Sequence, residues 1–154
     1  MRLTKRSNIA MRVLMYCGVN RHSLVTKSEI AESCNTSENH LAQVINRLAQ
    51  LGFLHTQRGR NGGMRLARDM EEISVGEVLR ATEATVPITE CFDASENTCP
   101  LVRGCRLRDV IARATEAFYA SMDDVTLADL VCENNQLDAI LSAPVTCPQR
   151  AIHA

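Results

Sequence analysis

The chain has 154 residues, the length of one compact domain or of a small domain with an appended arm. Hydrophobic residues make up 45%, so a real core can form and wholesale disorder is excluded, while no apolar run approaches the roughly 18 residues of a membrane span. The net charge of −1 hides a partition: residues 1–68 hold 11 Lys/Arg against 3 Asp/Glu, and residues 69–154 hold 6 against 15. A basic first part (+8) joined to an acidic second part (−9) is what a polyanion-binding domain would show, although two solvated faces of opposite sign would also produce it. Aromatics at 3%, with no Trp, argue against stacking platforms for single strands. No signal-type apolar block follows the basic N-terminus, so a cytoplasmic location is expected. There, seven cysteines call for core packing, redox chemistry or metal rather than structural disulfides.

In chain order, Ile9, Val13, Leu14 and Cys17 have helical spacing within residues 8–19. Thr26-Lys27-Ser28-Glu29 is a capping box that opens a short helix. Asn35-Thr36-Ser37 breaks the pattern, and Ser37 is placed to cap a longer helix striped by Leu41, Val44, Ile45, Leu48 and Leu51, with Gly52 as its left-handed terminator. Two helices joined by a short turn make a helix-turn-helix. Phe53–Gln57 and Met64–Ala67 then read as two short strands around Arg58-Gly59-Arg60-Asn61-Gly62-Gly63, where Asn61-Gly62 is the pair favoured in tight hairpins.

That layout is a winged helix. Ser74-Val75-Gly76-Glu77 is a second capping box, and residues 84–105 read as a loop. From Arg106 a long helix carries Leu107, Val110, Ile111, Ala114 and Phe118 on one stripe, and Thr126 caps a short helix after it. The predicted fold is mainly α with a small β-hairpin wing. Residues 1–83 form the winged helix-turn-helix, 84–105 a cysteine loop, 106–133 the long helix and a short one, and 134–154 a flexible tail.

The second helix offers Ser37, Glu38, Asn39, His40, Gln43 and Arg47 outside its apolar stripe. Asn and Gln pair two-pronged with adenine, Glu accepts from cytosine, and Arg suits guanine or phosphate. Arg58 and Arg60 flank a glycine at the wing tip, where little bulk stops them entering a minor groove. Any one of these is also an ordinary solvated side chain, but with the charge partition they point to double-stranded DNA. His22, His55 and His153 are read as incidental. No glycine-rich phosphate loop and no nucleophile–base constellation is evident, so no enzyme is expected.

Cys91, Cys99 and Cys105 lie within fifteen residues of one another in the proline-containing loop. Three thiolates there could converge on one soft metal centre, or remain unpaired loop cysteines. Closed zinc sites ask for four ligands, often with closer Cys spacing, whereas three cysteines and one other ligand suit an iron–sulfur cluster. Cys17 and Cys34 read as small core residues, and Cys132 and Cys147 as non-ligands.

Leu3-Thr4 with Asn8 and Arg12, Ser37 to Leu41, the wing Arg58 to Leu66, the cysteine triplet with Cys105-Arg106-Leu107, and Thr126-Leu127 with Asp129-Leu130 together resemble the winged-helix iron–sulfur transcription regulators. That family includes NsrR, a nitric oxide-sensing repressor, the cluster-biogenesis regulator IscR and the rhizobial iron regulator RirA. The likeness runs over residues 1–133 and is nearest the NsrR branch. It implies a homodimer paired through the long helix, a repressor on a two-fold symmetric operator, with one cluster per subunit, 4Fe-4S in preference to 2Fe-2S. Nitric oxide is the implied signal. Iron sensed through cluster occupancy is the first alternative, and a metal-free thiol switch the second. Two positions depart from the family. Arg108 stands where IscR-like proteins have a histidine, and Asn8 stands where NsrR-like proteins have an aspartate supplied from the partner subunit. Asn8 is then a weak fourth ligand, or Glu83, Glu90, Asp93, water or a small molecule takes that place.

Overall fold

A computed structural model describes residues 3–84 and 86–142. At its centre lies α1 (Lys5–Val19), which buries Ile9, Ala10, Val13, Leu14, Tyr16 and Cys17 over so wide an arc that other helices pack around it. It begins one turn earlier than its apolar pattern indicates, because the Thr4 hydroxyl accepts the Ser7 N–H at 3.2 Å and caps it. Helix α2 (Lys27–Ser33) carries the complete Thr26/Glu29 capping box, and α3 (Glu38–Gln50) is capped by Ser37. Gly52, at φ +78°, ends α3 in the left-handed region, as its sequence position indicates.

Strands β1 (Leu54–Gln57) and β2 (Gly63–Leu66) pair antiparallel, from Leu54 opposite Leu66 to Gln57 opposite Gly63. The turn differs from the expected Asn61-Gly62 type. Five residues connect the strands, the positive φ falls on Gly59 (+115°), and the Gly62 N–H donates to the Gly59 carbonyl at 3.0 Å. Val25 adds a further rung through two backbone bonds to Met64, of 3.0 and 2.8 Å. A one-residue bridge leaves no alternation in the sequence by which to find it.

Helix α4 (Val75–Glu83) packs on α1 and leads to the loop. Its expected capping box is only half formed: Ser74 accepts the Glu77 N–H, but the Glu77 carboxylate pairs with Arg68 at 2.9 Å instead of turning back. Among the described residues, none of helix α5 (Arg106–Ala120) is buried. It is fastened to α4 near its C-terminal end and through the turn that follows it. The N–H groups of Val75 and Gly76 donate to the carbonyls of Val125 and Met122, and a Cβ on Gly76 would collide with the Asp123 carboxylate. Arg80 of α4 bridges Glu116 at 2.8 Å and Asp123 at 2.7 Å, with its guanidinium 5.0 Å from the Tyr119 ring centroid.

Helix α6 (Leu127–Val131) returns to α1. Residues 134–142 depart from the expected flexible tail: Asn134 caps α7 (Asn135–Leu141), Leu141 is buried, and the Asn20 amide donates to the Leu141 carbonyl at 2.9 Å. A helix of about two turns docking on α1 is too short for its periodicity to stand out. Pro144, Cys147, Pro148 and His153 lie outside the described residues. Among those described, no helix is long and apolar enough to cross a membrane.

Candidate nucleic-acid interface and cysteine loop

Helix α3 divides cleanly. Leu41, Val44, Ile45 and Leu48 are buried, which leaves Glu38, Asn39, His40 and Gln43 exposed and Arg47 half-buried. Asn39 and Gln43 share one face, and Asn46, three residues further on and also exposed, continues it. The i, i+4, i+7 spacing of these three amides was the signal for Asn46. Arg58 and Arg60 are exposed on the wing tip, and Gly62 is required there because a Cβ would strike the Gln57 carbonyl. Arg65, exposed on β2 opposite His55, adds a wing cation that the motif reading passed over. Glu38 is engaged within the chain: Oε2 lies 2.9 Å from Lys27 Nζ, and Oε1 accepts the Ser28 hydroxyl at 3.0 Å. The Lys27 hydrogen bond, then that of Ser28, holds its carboxyl below the usual range.

The loop after α4 starts from an anchored point. Glu83 is buried, and its Oε1 accepts both the N–H (2.8 Å) and the hydroxyl (2.9 Å) of Thr4, beside a Ser7–Thr82 hydroxyl pair at 2.8 Å. Glu83 thereby fastens the start of α1 to the end of α4 through its Oε1. Asp93 is organised locally, accepting from the Ser95 hydroxyl (2.6 Å) and N–H (2.8 Å), and these two bonds lower its pKa. Glu90 accepts the Thr98 hydroxyl at 3.3 Å. Asn8 stands exposed one turn into α1.

The three loop thiols are half-buried and unpaired. Cys91 Sγ lies 3.0 Å from the Thr89 hydroxyl, the Cys99 N–H donates to Asn97 Oδ1 at 3.0 Å, and Cys105 occupies the N-cap position of α5 without bonding its side chain there. Arg108 straps the loop to α5: its Nε donates to the Cys91 carbonyl at 3.0 Å, and its guanidinium lies 5.1 Å from the Phe92 ring centroid. Among the described residues no three His, Cys, Asp or Glu side chains converge tightly enough to hold a metal. The donor set fits a soft centre in kind: three unpaired, partly accessible thiols on a segment whose hydrogen bonds, apart from the Arg108 strap, are local. Cys17 and Cys34 are buried as expected; burial pushes the Cys17 thiol up to about 12, with Cys34 adding to the shift.

A family model described as Rrf2, iron-dependent transcriptional regulator, matches residues 3–133. The chain belongs to the Rrf2 family. The HTH-type transcriptional regulator NsrR of Bacillus subtilis is 42% identical over 142 residues, which cover 92% of this chain and 97% of that protein. NsrR of Shouchella clausii is 37% identical over 147 residues, covering 95% and 99%. Among solved structures, CymR, the global cysteine regulator of B. subtilis, has the same fold, with a TM-score of 0.65 at 22% identity over 85% of this chain and 96% of its own. The expected family and winged-helix fold both hold. This Rrf2 protein is a DNA-binding transcriptional regulator, and these relatives are regulators rather than enzymes. The Rrf2 match stops before α7, which packs on α1 beyond the matched residues.

Proposed function

We propose that this Rrf2 protein is a cytoplasmic homodimeric repressor that grips a two-fold symmetric operator with α3 and the wing, under control of an iron–sulfur cluster that senses nitric oxide. The observation that carries the reading is the placement of Cys91, Cys99 and Cys105 between the basic winged-helix body and an α5 that has no fully buried residue among the described residues and leaves Leu107 and Val110 exposed. Those thiols would hold one cluster per subunit, 4Fe-4S in preference to 2Fe-2S, with Asn8 of the partner subunit as a weak fourth donor. The cluster supplies a soft, redox-active centre on which a diatomic gas can act.

The chain's own residues then relay the state of the loop. Arg108 ties the first cysteine's backbone to α5, and Arg80 ties α5 to α4. Glu83 and Thr82 tie α4 to the start of α1, the core helix on which α3 packs. A change in the loop thereby alters the separation of the two recognition helices in a dimer. A differential of only ~1.4 kcal/mol between two such states changes operator affinity tenfold.

The family's description as iron-dependent favours a second reading, in which occupancy of the same site reports iron supply. The decisive experiment is the visible spectrum of anaerobically purified protein beside its single cysteine variants. Absorbance characteristic of a cluster, lost in Cys91→Ala, Cys99→Ala and Cys105→Ala but retained in Cys17→Ala, Cys34→Ala, Cys132→Ala and Cys147→Ala, is expected. A normal spectrum after Cys99→Ala refutes the site, and a colourless native protein turns the reading towards the metal-free thiol switch. Release of operator by nitric oxide, but not by a mild chelator, separates the gas signal from the iron signal.

A further inference from the structure

The basic first part of the chain holds three acids, and two lie apart from any DNA-reading position: Glu29 closes its capping box, and Glu32 sits on α2. The third, Glu38, opens the helix that presents Asn39, Gln43 and Asn46, where a carboxylate would repel a polyanion. Both of its oxygens are in use, one on Lys27 and one on Ser28, in the first turn of α2. An ammonium and a hydroxyl side by side are the groups a phosphodiester takes from a protein. Here the chain's own carboxylate fills that place.

We propose that Glu38 is an internal substitute for a DNA phosphate, which occupies Lys27 and Ser28 in the free protein and must be displaced before they grip the backbone. The proposal rests on α3 being the helix that meets DNA. The Lys27 and Glu38 side chains are 41% and 48% exposed, so the pair is screened and weak enough for DNA to open. Every duplex must overcome it. Only a duplex that offers the released carboxylate a cytosine amino group in the major groove recovers the loss. Glu38 therefore depresses binding to random sequence more than binding to the operator, which makes it a specificity-determining residue.

The test uses the full-length protein under anaerobic conditions, with fluorescence anisotropy across a salt series. The probes are a random-sequence duplex and a duplex selected by the native protein from a randomised pool. Glu38→Gln keeps an acceptor for Ser28 but frees Lys27. It should bind the random duplex about three- to tenfold more tightly, steepen the log–log salt slope by about 0.9 per subunit, and narrow the preference for the selected duplex. In a Lys27→Met background, Glu38→Gln should produce neither gain. An unchanged slope in the single variant overturns the proposal. So does an equal gain in both backgrounds, which would reveal a general field effect with no role for Lys27. Arg60→Ala, away from this contact, separates the two levels of failure. Weaker binding by Arg60→Ala beside an inert Glu38→Gln refutes the substitution of phosphate alone, whereas inertness of both removes this face from DNA.

Discussion

Truncating the outer stripe of α5 tests the homodimer. Among the described residues Leu107 is 64% exposed and Val110 50% exposed, so both hold apolar surface that a partner subunit would cover. At about 0.8 kcal/mol per buried methylene, Leu107→Ala removes about 1.5 kcal/mol of the burial still available and Val110→Ala about 0.8 kcal/mol. A two-fold interface counts each change twice, so the ceiling for the double variant is about 4–5 kcal/mol, a dimer weaker by roughly a thousandfold or more. Sedimentation velocity over a dilution series reads the dissociation constant directly. The far-UV circular dichroism of the dissociated subunit should stay helical, since the buried core of the described residues lies outside α5. A dissociation constant equal to that of the native protein would place the pairing surface elsewhere. A subunit that unfolds would mean that the stripe belongs to its own core.

Leu14→Ala, at a fully buried position of α1, should cost about 2–5 kcal/mol and lower the urea midpoint with an unchanged m-value. Asp129 is held below the usual carboxylate range by the N–H and then the hydroxyl of Thr126. Its folded pKa lies below the unfolded one, so its stabilisation is present above about pH 4 and is lost as the pH falls through the folded value. Thermal midpoints of Asp129→Asn should therefore fall less between pH 7 and pH 3 than those of the native protein, and parallel curves would contradict this. Arg60→Ala should lower the salt slope by about 0.9 per subunit, whereas Gln43→Ala should cost about 1–3 kcal/mol at one base pair only. Equal losses on operator and random DNA would exclude base readout by Gln43. Asn8→Asp, which supplies a charged oxygen at the same reach, should slow both chelator-driven cluster loss and the first step of nitrosylation while leaving operator affinity unchanged. Equal rates would detach Asn8 from the site.

Local rules were sufficient wherever the physics is local. Thr26/Glu29, Ser37 and Gly52 mark the helix-turn-helix in the sequence because a cap bonds the backbone within three residues of itself, and a left-handed terminator needs only its own φ. The apolar stripe of α3 likewise told which residues face outward, since four buried positions at spacings of three and four leave one solvent face. The cysteine triplet and the charge partition were equally legible, because residue identity alone creates them.

Tertiary structure decided which of several local partners a side chain takes. Glu77 has the sequence position of a capping-box acid, yet Arg68, nine residues away, claims its carboxylate. Glu83 has the chemistry of a ligand, and the fold brings Thr4, 79 residues distant, to donate two hydrogen bonds to its Oε1. Glu38 has the sequence position of a base acceptor, and α2 sets Lys27 and Ser28 against its two oxygens. Helix α7 was hidden for a related reason: about two turns have too little periodicity to declare themselves, and the helix forms where α1 offers a surface to cover. The sequence by itself determined the winged helix, the outward face of α3 and the spacing of the loop cysteines, because caps, periods and residue types act over a few positions. Only tertiary packing, of α1 against α4, of α4 against α5 and of α2 against α3, decided which charged groups are engaged, because ion pairs and buried hydrogen bonds are chosen by distance in space rather than along the chain.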